Sequence, residues 1–193
     1  AEHHHVCPVH PEYAELPSFE QNIPEAKKLL AEAGFPNGFE TTIDTMNVPY
    51  IMTTAQVMKE MWAKIGVKVN INSMPTGQYW GVWKSTPFGY TTWTHRPLGV
   101  QVLALAYRSG VPWNETAYSN TEFDELLDKA EGTFDVEARR NIMKRIEKIM
   151  QEDGPLTQPF WRPGIVAYNK RVKGFSAHPS CRTLSSNIAI EPA

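Results

Sequence analysis

The chain has 193 residues, of which 41% are hydrophobic and 21% charged, an ordinary composition for a globular protein long enough to bury a core. Its 19 basic and 21 acidic residues leave a net charge of −2, which excludes the basic footprint of a nucleic-acid-binding protein. No apolar run reaches the ~18 residues that a membrane-spanning helix requires. Because the chain starts at Ala1 with no signal peptide, we expect a processed or trimmed N-terminus.

The start of the chain, residues 1–23, is predicted to be irregular because prolines interrupt any periodic pattern. We expect an α/β lobe over residues 24–176 and a second irregular segment over residues 177–193. The lobe opens with a helix that starts at Pro24 and ends at Gly34, with one apolar face of alanine and leucine side chains.

A strand–helix–strand unit comes next. Alternating side chains predict strands over residues 39–46 and 67–73, and apolar residues at helical spacing predict a helix over residues 50–65. Two strands joined by a helix should run parallel, with a right-handed crossover. The buried stripe of this helix is expected to comprise Ile51, Ala55, Met58, Met61, Trp62 and Ile65.

The rest of the chain continues the mixture of helices and strands. The predicted fold class is therefore α/β, with helices packed on a mixed, mostly parallel sheet of four or five strands. The expected elements are a short helix at 78–84, a strand at 88–93, a helix from Thr121 to Gly132, a helix from Asp135 to Asp153, and short strands at 156–161 and 165–168.

Six short stretches carry a more specific signal. They are AKKLLAEAGFPNGF at 26–39, IGVKV at 65–69, YSNTEFDELL at 118–127, IMQEDGP at 149–155, PFW at 159–161 and VKGF at 172–175. Their order and spacing together resemble the C-terminal lobe of the family 5 extracellular solute-binding proteins, the peptide-type receptors of ABC importers.

The resemblance implies a lobe of the type II periplasmic-binding-protein fold that is not an enzyme and uses no cofactor. In that family two lobes close on a peptide or other small solute by hinge bending, and the closed form docks on an ABC permease in the membrane. Family members are well over twice as long as this chain, so the resemblance implies a fragment without its N-terminal lobe. It also implies a periplasmic or extracellular location, with membrane association through the transporter.

The loop after the predicted strand at 88–93 is the first candidate ligand site, because ligands bind beyond the carboxyl ends of strands in open α/β sheets. It contains Trp93, Thr94, His95 and Arg96. Peptide-binding relatives often carry an aspartate shortly after this tryptophan, where it pairs with the amino terminus of the peptide. The cation at Arg96 instead favours a carboxylate-bearing or otherwise anionic solute.

A second loop, after Gly110, contains Trp113 and Asn114. A tryptophan between turn signals often stays partly exposed and stacks on ligands, although such a residue also fills small hydrophobic holes. We expect Trp93 and Trp113 to form flat apolar walls and Asn114 to supply hydrogen bonds.

The histidines and cysteines of the chain suggest two further features. A metal site among His3, His4, His5, Cys7 and His10 is disfavoured, because the cluster lacks known ligand spacing and is expected to lie in a frayed terminus. Cys7 and Cys181 are either bridged, as an oxidising compartment would permit, or two unpaired thiols.

Enzyme motifs are absent from the sequence: it has no glycine-rich phosphate loop, no nucleophile elbow and no zinc-binding His-Glu-x-x-His pair. The main alternative to a solute receptor is an interaction module that binds no ligand. Such a fragment would form a homo-oligomer through the surface that its missing lobe once covered.

Overall fold

The computed structural model describes residues 1–178 and 185–192, and this part of the chain contains helices, a three-stranded parallel sheet and a two-stranded antiparallel sheet. In chain order the elements are α1 (Ile23–Glu32), β1 (Glu40–Met46), α2 (Pro49–Ala63), β2 (Lys68–Met74), α3 (Thr76–Val82), β3 (Gly89–Tyr90), α4 (Gly99–Ala106), α5 (Thr121–Glu131), α6 (Val136–Asp153), β4 (Val172–Lys173) and β5 (Ala189–Ile190).

The chain divides into two compact units. One unit is the continuous stretch Phe19–Trp93, which we call the sheet unit. The other combines Ala1–Ser18 with Thr94–Ala193, and we call it the arm unit because its first eighteen residues form an arm without helix or strand. The three-part division expected from the sequence stays a prediction.

The sheet unit has a three-stranded parallel sheet in the order β2–β1–β3. The predicted strand–helix–strand unit is confirmed, because β1, α2 and β2 begin and end within two residues of the expected positions and the strands run parallel. Alternation along the strands buries Ile43 and Val69 on the helix-covered core.

Two apolar faces of the sheet unit are more exposed than their patterns suggest. Helix α1 buries none of its residues, and Leu29 is 55% exposed. In α2, the predicted burial is confirmed for Ile51 and Ala55, but Met61 is 44% exposed. Helical periodicity identifies an apolar face correctly, yet it does not say whether another element covers that face.

A close approach of two backbone segments explains part of the family-like sequence. Gly38 ends the turn before β1 with φ +76°, and Gly66 ends the turn after α2 with φ +90°. A Cβ atom on Gly38 would lie 2.0 Å from the carbonyl oxygen of Gly66. The two turns can therefore touch only because Gly38 carries no side chain.

The helices of the arm unit are α4, which the sequence did not predict, and the predicted pair α5 and α6. Asp135 caps α6 as expected, with its carboxylate accepting from the N–H of Ala138. Helix α5 is capped by Asn120 rather than Thr121, and the Asn120 side chain accepts from the N–H of Phe123. The two helices pack through a buried layer: Phe123, Leu127, Ala130, Met143, Ile146 and Met150.

The arm, residues 1–18, contradicts the expectation of a frayed terminus. Val6 and His4 are fully buried within the arm unit, and Ala14 and Leu16 are buried as well. Apolar side chains spaced along an irregular segment leave no periodic signal, so the sequence pattern could not show that the arm contributes to the core.

The predicted strands at 156–161 and 165–168 are wrong. These residues form no strand ladder within the described part of the chain, where Pro155, Pro159 and Pro163 cannot donate a backbone hydrogen bond. The strands near the C-terminus are instead β4 and β5, which pair antiparallel.

Candidate functional site

In the sheet unit, Trp93 lies three residues beyond the carboxyl end of β3 and is half-buried. Its ring meets Trp83 edge to face, with centroids 6.2 Å apart and planes at 70°. Nearby, Tyr79 is fully buried and its hydroxyl shares a 2.7 Å hydrogen bond with the Thr91 hydroxyl. The carboxyl edge of the sheet thus carries an anchored aromatic group, and the ligand-binding role expected for Trp93 stays a prediction.

In the arm unit, Thr94, His95 and Arg96 form a loop that holds itself in shape. The Arg96 guanidinium donates through Nη1 to the Thr94 hydroxyl at 2.8 Å and to the Thr94 carbonyl at 3.2 Å. Across residues 1–178 and 185–192, no carboxylate lies within ion-pair distance of Arg96. Its positive charge is therefore available to an anion, because the bonds it makes are to neutral acceptors.

The sequence did not identify His10 as a support for this loop. His10 is buried, its Nδ1 accepts from the N–H of Cys7 at 2.9 Å, and its Nε2 lies 2.9 Å from the Arg96 carbonyl oxygen. Because Nδ1 accepts, Nε2 must carry the proton and donate to Arg96. The His10 ring also stacks on His95, with centroids 5.3 Å apart. The His10 side chain thus fixes the loop in two ways, by a hydrogen bond to the backbone of Arg96 and by a ring contact with His95.

The electrostatics of the loop leave Arg96 as its main cation. Burial lowers the pKa of His10 below its ordinary value, although its hydrogen bond to the Arg96 backbone opposes that shift. Desolvation also lowers the pKa of His95, and electrostatic interactions with His178 and Arg96 lower it further. Both imidazoles are therefore neutral at pH 7, and an anion in this loop would meet the guanidinium.

Trp113 and Asn114 lie in a separate loop of the arm unit, between α4 and α5. Trp113 is 45% exposed, which fits a side chain that can contact a ligand. Asn114 is committed to its own loop, because its amide nitrogen donates to the carbonyls of Arg108 and Tyr118 and its oxygen accepts from Thr116 and from the N–H of Tyr118. The ligand-binding roles predicted for these two residues stay predictions.

A buried polar network joins the arm to α6. Glu12 is fully buried, accepts from the N–H of Gly99 at 3.0 Å and lies 3.1 Å from Nε of Arg139. Glu147 is also fully buried, accepts from the N–H of Ala14 at 3.2 Å and faces Nε2 of His4 at 3.5 Å.

Desolvation dominates the protonation of the second pair. It raises the pKa of Glu147 to about 9 and lowers the pKa of His4 to about 4. At pH 7 the contact therefore joins a protonated carboxyl group and a neutral imidazole. Glu147 alternates with basic side chains along α6, a pattern typical of a solvated face, yet it is fully buried. Its spacing of four residues from the apolar Met143 is the signal in the sequence that indicates the buried face.

The remaining histidines of the arm have structural partners. His3 accepts through Nδ1 from the N–H of Gln158 at 2.9 Å, and Nδ1 of His5 lies 2.9 Å from the Tyr107 hydroxyl. Within the described residues, no three His, Cys, Asp or Glu side chains converge to form a metal site. The histidine run thus has a role in packing the arm.

The predicted disulfide cannot be examined at both of its ends. Cys7 is half-buried in the arm, and its N–H donates to His10. Cys181 lies outside the described residues, so the bridge stays a prediction.

A parallel sheet with helices packed against it places the chain in the α/β class. The family model described as "Bacterial extracellular solute-binding proteins, family 5 Middle" matches residues 3–132. The chain therefore belongs to the family 5 extracellular solute-binding proteins, which are not enzymes.

Similar proteins include receptors for chemically different solutes. The chain is 29% identical to heme-binding protein A of Haemophilus influenzae, over 86% of this chain and 32% of that protein. It is 27% identical to the nickel-binding protein NikA of Staphylococcus aureus, over 82% of this chain and 34% of that protein.

The fold is similar to that of the periplasmic binding protein DppA of Helicobacter pylori, an ABC-transporter-associated protein solved with the peptide STSA. The TM-score is 0.69 at 27% identity, covering 77% of this chain and 31% of that chain. The type II periplasmic-binding-protein fold predicted from the sequence is thereby confirmed. The chain spans about a third of the length of the relatives it matches.

Proposed function

We propose that this chain is a solute-binding lobe of a receptor that delivers a small, carboxylate-bearing solute to an ABC importer. Membership of the family supports the receptor class, and relatives named for heme, nickel and peptide leave the solute open. The observation that carries the solute class is Arg96, a guanidinium that pairs with no carboxylate of the described residues and is held by neutral oxygens.

The guanidinium suits a carboxylate because its fork of N–H groups matches the two oxygens of that group. His10 holds the backbone of the loop, so little ordering is required when the anion binds. Trp113, which lies in the same unit as Arg96 and is 45% exposed, would supply a flat apolar contact to the rest of the solute.

In the intact receptor, a second lobe would close on the solute by hinge bending, and the closed form would dock on the permease. No helix of the described residues is long and apolar enough to cross a membrane. We infer a periplasmic or extracellular location, with attachment to the membrane through the transporter. A single lobe buries only part of the solute, so we expect this chain alone to bind in the millimolar range, where ΔG is about −4 kcal/mol.

The test is an NMR titration of the isotope-labelled chain with a matched pair of probes, N-acetyl-alanine and N-acetyl-alanine amide. These probes differ only in the carboxylate. We expect the acid to bind at least about tenfold more tightly, and R96Q to abolish that preference, because a charged hydrogen bond contributes about 1.5–3 kcal/mol. R96K should retain part of it.

The matched control is R140Q, which removes a guanidinium that is already paired with Glu137 on α6. It should bind both probes like the parent chain. Equal binding of acid and amide by the parent chain, or an unchanged preference in R96Q, would contradict the proposed solute class.

A second candidate function, self-association without a ligand, is favoured by the exposed apolar side chains of the sheet unit. Phe19 is 64% exposed and Leu29 55%, and the exposed rings of Phe35 and Phe39 contact each other at 5.1 Å. Such surface often marks an interface. Sedimentation equilibrium decides between the candidates: a concentration-dependent dimer that L29E dissociates would support the module, whereas a monomer at all concentrations would exclude it.

A further inference from the structure

The guanidinium of Arg96 uses only one of its nitrogens within its own loop. Nη1 donates to the Thr94 hydroxyl at 2.8 Å, to the Thr94 carbonyl at 3.2 Å and to the His95 carbonyl at 3.4 Å. Because Nη1 carries two hydrogens, these acceptors occupy both of them. Neither Nε nor Nη2 has a hydrogen-bond partner among residues 1–178 and 185–192. We call the side of the guanidinium formed by Nε and Nη2 the open edge.

A second arginine of the arm unit shows what such an edge binds. Nε of Arg145 donates to one carboxylate oxygen of Glu122 at 2.7 Å, and its Nη2 donates to the other oxygen at 2.9 Å. Its Nη1 instead donates to Glu152 at 3.3 Å. Arg145 thus divides its donors as Arg96 does, with Nη1 bound to one group and the Nε–Nη2 edge bound to both oxygens of a carboxylate.

Thr94 determines which edge of Arg96 stays open. Its hydroxyl makes the shortest of the three contacts with Nη1, and its β-branched side chain is restricted to few rotamers. Because a guanidinium is planar and trigonal, the Nε–Nη2 edge points away from Nη1 and so away from the Thr94 acceptors. The bonds that hold Nη1 therefore also set the direction of the open edge.

The backbone of this loop is held by the arm. His10 donates to the Arg96 carbonyl at 2.9 Å, and the buried Glu12 accepts from the N–H of Gly99 at 3.0 Å. Pro97 follows Arg96 and restricts its backbone to extended conformations. Little ordering of the loop is therefore required when an anion binds to the open edge.

We propose that Thr94 is a positioning residue of the anion site, and that the solute carboxylate binds side-on to the open edge, with one oxygen on Nε and the other on Nη2. This inference rests on the proposed function and makes it more specific, because the recognised group must present two oxygens in one plane. Thr94 belongs to the ligand-binding residues expected from the sequence, and its role is to act through Arg96. A single-point anion such as chloride does not match the two donors.

The test follows the Nε–H signals of the chain, labelled with nitrogen-15 arginine, during titration with N-acetyl-alanine. We expect the Arg96 signal to move downfield, towards that of Arg145, which already carries a carboxylate on the same edge. R96K identifies the Arg96 signal by removing it. Sodium chloride at the same ionic strength tests charge alone and should leave the signal in place. An equal movement with chloride, or binding of the acid without any movement, would overturn the side-on geometry.

Variants test the role of Thr94. T94V has nearly the same shape but no hydroxyl, so we expect N-acetyl-alanine to bind about fivefold more weakly, the effect of one lost hydrogen bond. The movement of the Arg96 signal at saturation should be smaller as well. T94S keeps the hydroxyl and should bind within about twofold of the parent chain.

The matched control is T133V. It removes the hydroxyl of a threonine in the same unit that donates to the Lys129 carbonyl at 2.7 Å, and it should bind N-acetyl-alanine like the parent chain. Equal affinities of T94V and T94S for the acid would overturn the positioning role of Thr94. If T94V does not fold, the titration of the unsubstituted chain still decides the side-on geometry.

The two proposals fail in different ways. If the parent chain binds acid and amide equally, or if R96Q keeps the preference for the acid, the proposed solute class is contradicted and the side-on geometry with it. If R96Q loses the preference while T94V binds the acid as the parent chain does, the solute class stands and Thr94 has no positioning role. Loss of the preference in R96Q together with weaker binding in T94V would support both proposals.

Discussion

The sheet unit and the arm unit are stabilised by different kinds of contact. In the sheet unit, regular strands and helices bury apolar side chains such as Ile43 and Tyr79. In the arm unit, an irregular segment is fastened to α6 by buried polar and charged groups, above all Glu12 and Glu147. The candidate anion loop belongs to the arm unit, and His10 ties that loop to the arm.

The difference shows which contacts determine rigidity in each unit. Apolar packing tolerates substitutions of similar volume, whereas a buried charge requires its own partner. We therefore expect the arm unit to respond to single polar substitutions more strongly than its lack of regular structure suggests. The following predictions test that comparison, starting with the largest expected effect.

Removing the Glu12 carboxylate should destabilise the arm unit most. The Arg139 side chain is only 13% exposed, and in E12A it loses its carboxylate partner. The N–H of Gly99 loses its acceptor as well. We therefore expect the free energy of unfolding to fall by about 3–5 kcal/mol. Urea denaturation measures it. E15A, at an exposed position of the same arm, is the control and should change stability by less than about 0.5 kcal/mol. A loss below about 1 kcal/mol in E12A would show that the network is not important.

In the sheet unit, the sensitive point is a backbone contact. G38A should cost about 3 kcal/mol, because the new Cβ would meet the Gly66 carbonyl and because φ at residue 38 is positive. G77A is the matched control, since nothing lies within 4 Å of a Cβ at this position of α3. Alanine favours a helix more than glycine, so G77A should stabilise by up to about 1 kcal/mol. Equal thermal midpoints for the two variants would contradict the close approach of the two turns.

The buried carboxyl group of Glu147 should make stability depend on pH. Its pKa is raised from 4.5 to about 9, so the stability due to its proton is complete below pH 4.5 and is lost as the pH rises towards 9. His4 makes stability depend on pH in the opposite direction and in a lower pH range. Its pKa is lowered from 6.5 to about 4, so the stability due to its neutral form is complete above pH 6.5 and is lost as the pH falls towards 4.

The E147Q variant isolates the first effect, because a neutral amide imitates the protonated carboxyl. Between pH 6.5 and 8.5, the free energy of unfolding of the parent chain relative to E147Q should fall by up to about 1.4 kcal/mol per pH unit. Parallel curves for the two proteins over this range would mean that Glu147 is ionised in the folded chain.

The smallest expected effect concerns the link between arm and anion loop. H10N keeps an acceptor for the N–H of Cys7 but loses the donor to the Arg96 carbonyl, whereas H10Q can still reach that carbonyl. One hydrogen bond contributes about 1 kcal/mol, so H10N should weaken the binding of N-acetyl-alanine about fivefold and H10Q less. If H10N and H10Q bound N-acetyl-alanine with identical affinity, that result would contradict the proposal that His10 positions the loop of Arg96.

The sequence predicted the sheet unit well because its side chains repeat with the periods of strand and helix. The strands around Ile43 and Val69 and the crossover helix could be placed within two residues. The resemblance also indicated the family. The ligand role of the loop at Thr94–Arg96, expected from its position after a strand, stays a prediction.

Polar burial and long-range contacts could not be predicted in the same way. Glu147 looks like any other charged residue on a basic helix, and only the folded arm removes it from water. The strands predicted at 156–161 and 165–168 were wrong for a related reason, because a strand-like sequence pattern does not show whether a neighbouring strand is present to pair with it. His10 supports Arg96 across 86 residues of sequence, a separation that no local pattern can span.

The most direct test of the central claim, that the arm is a structural part of the binding lobe, is amide hydrogen exchange of residues 4–14. Our account predicts that the N–H groups of Cys7 and Ala14, which donate to His10 and Glu147, exchange as slowly as the protected core of α6. Exchange of these two groups at the rate of an unstructured peptide, while α6 remains protected, would contradict it.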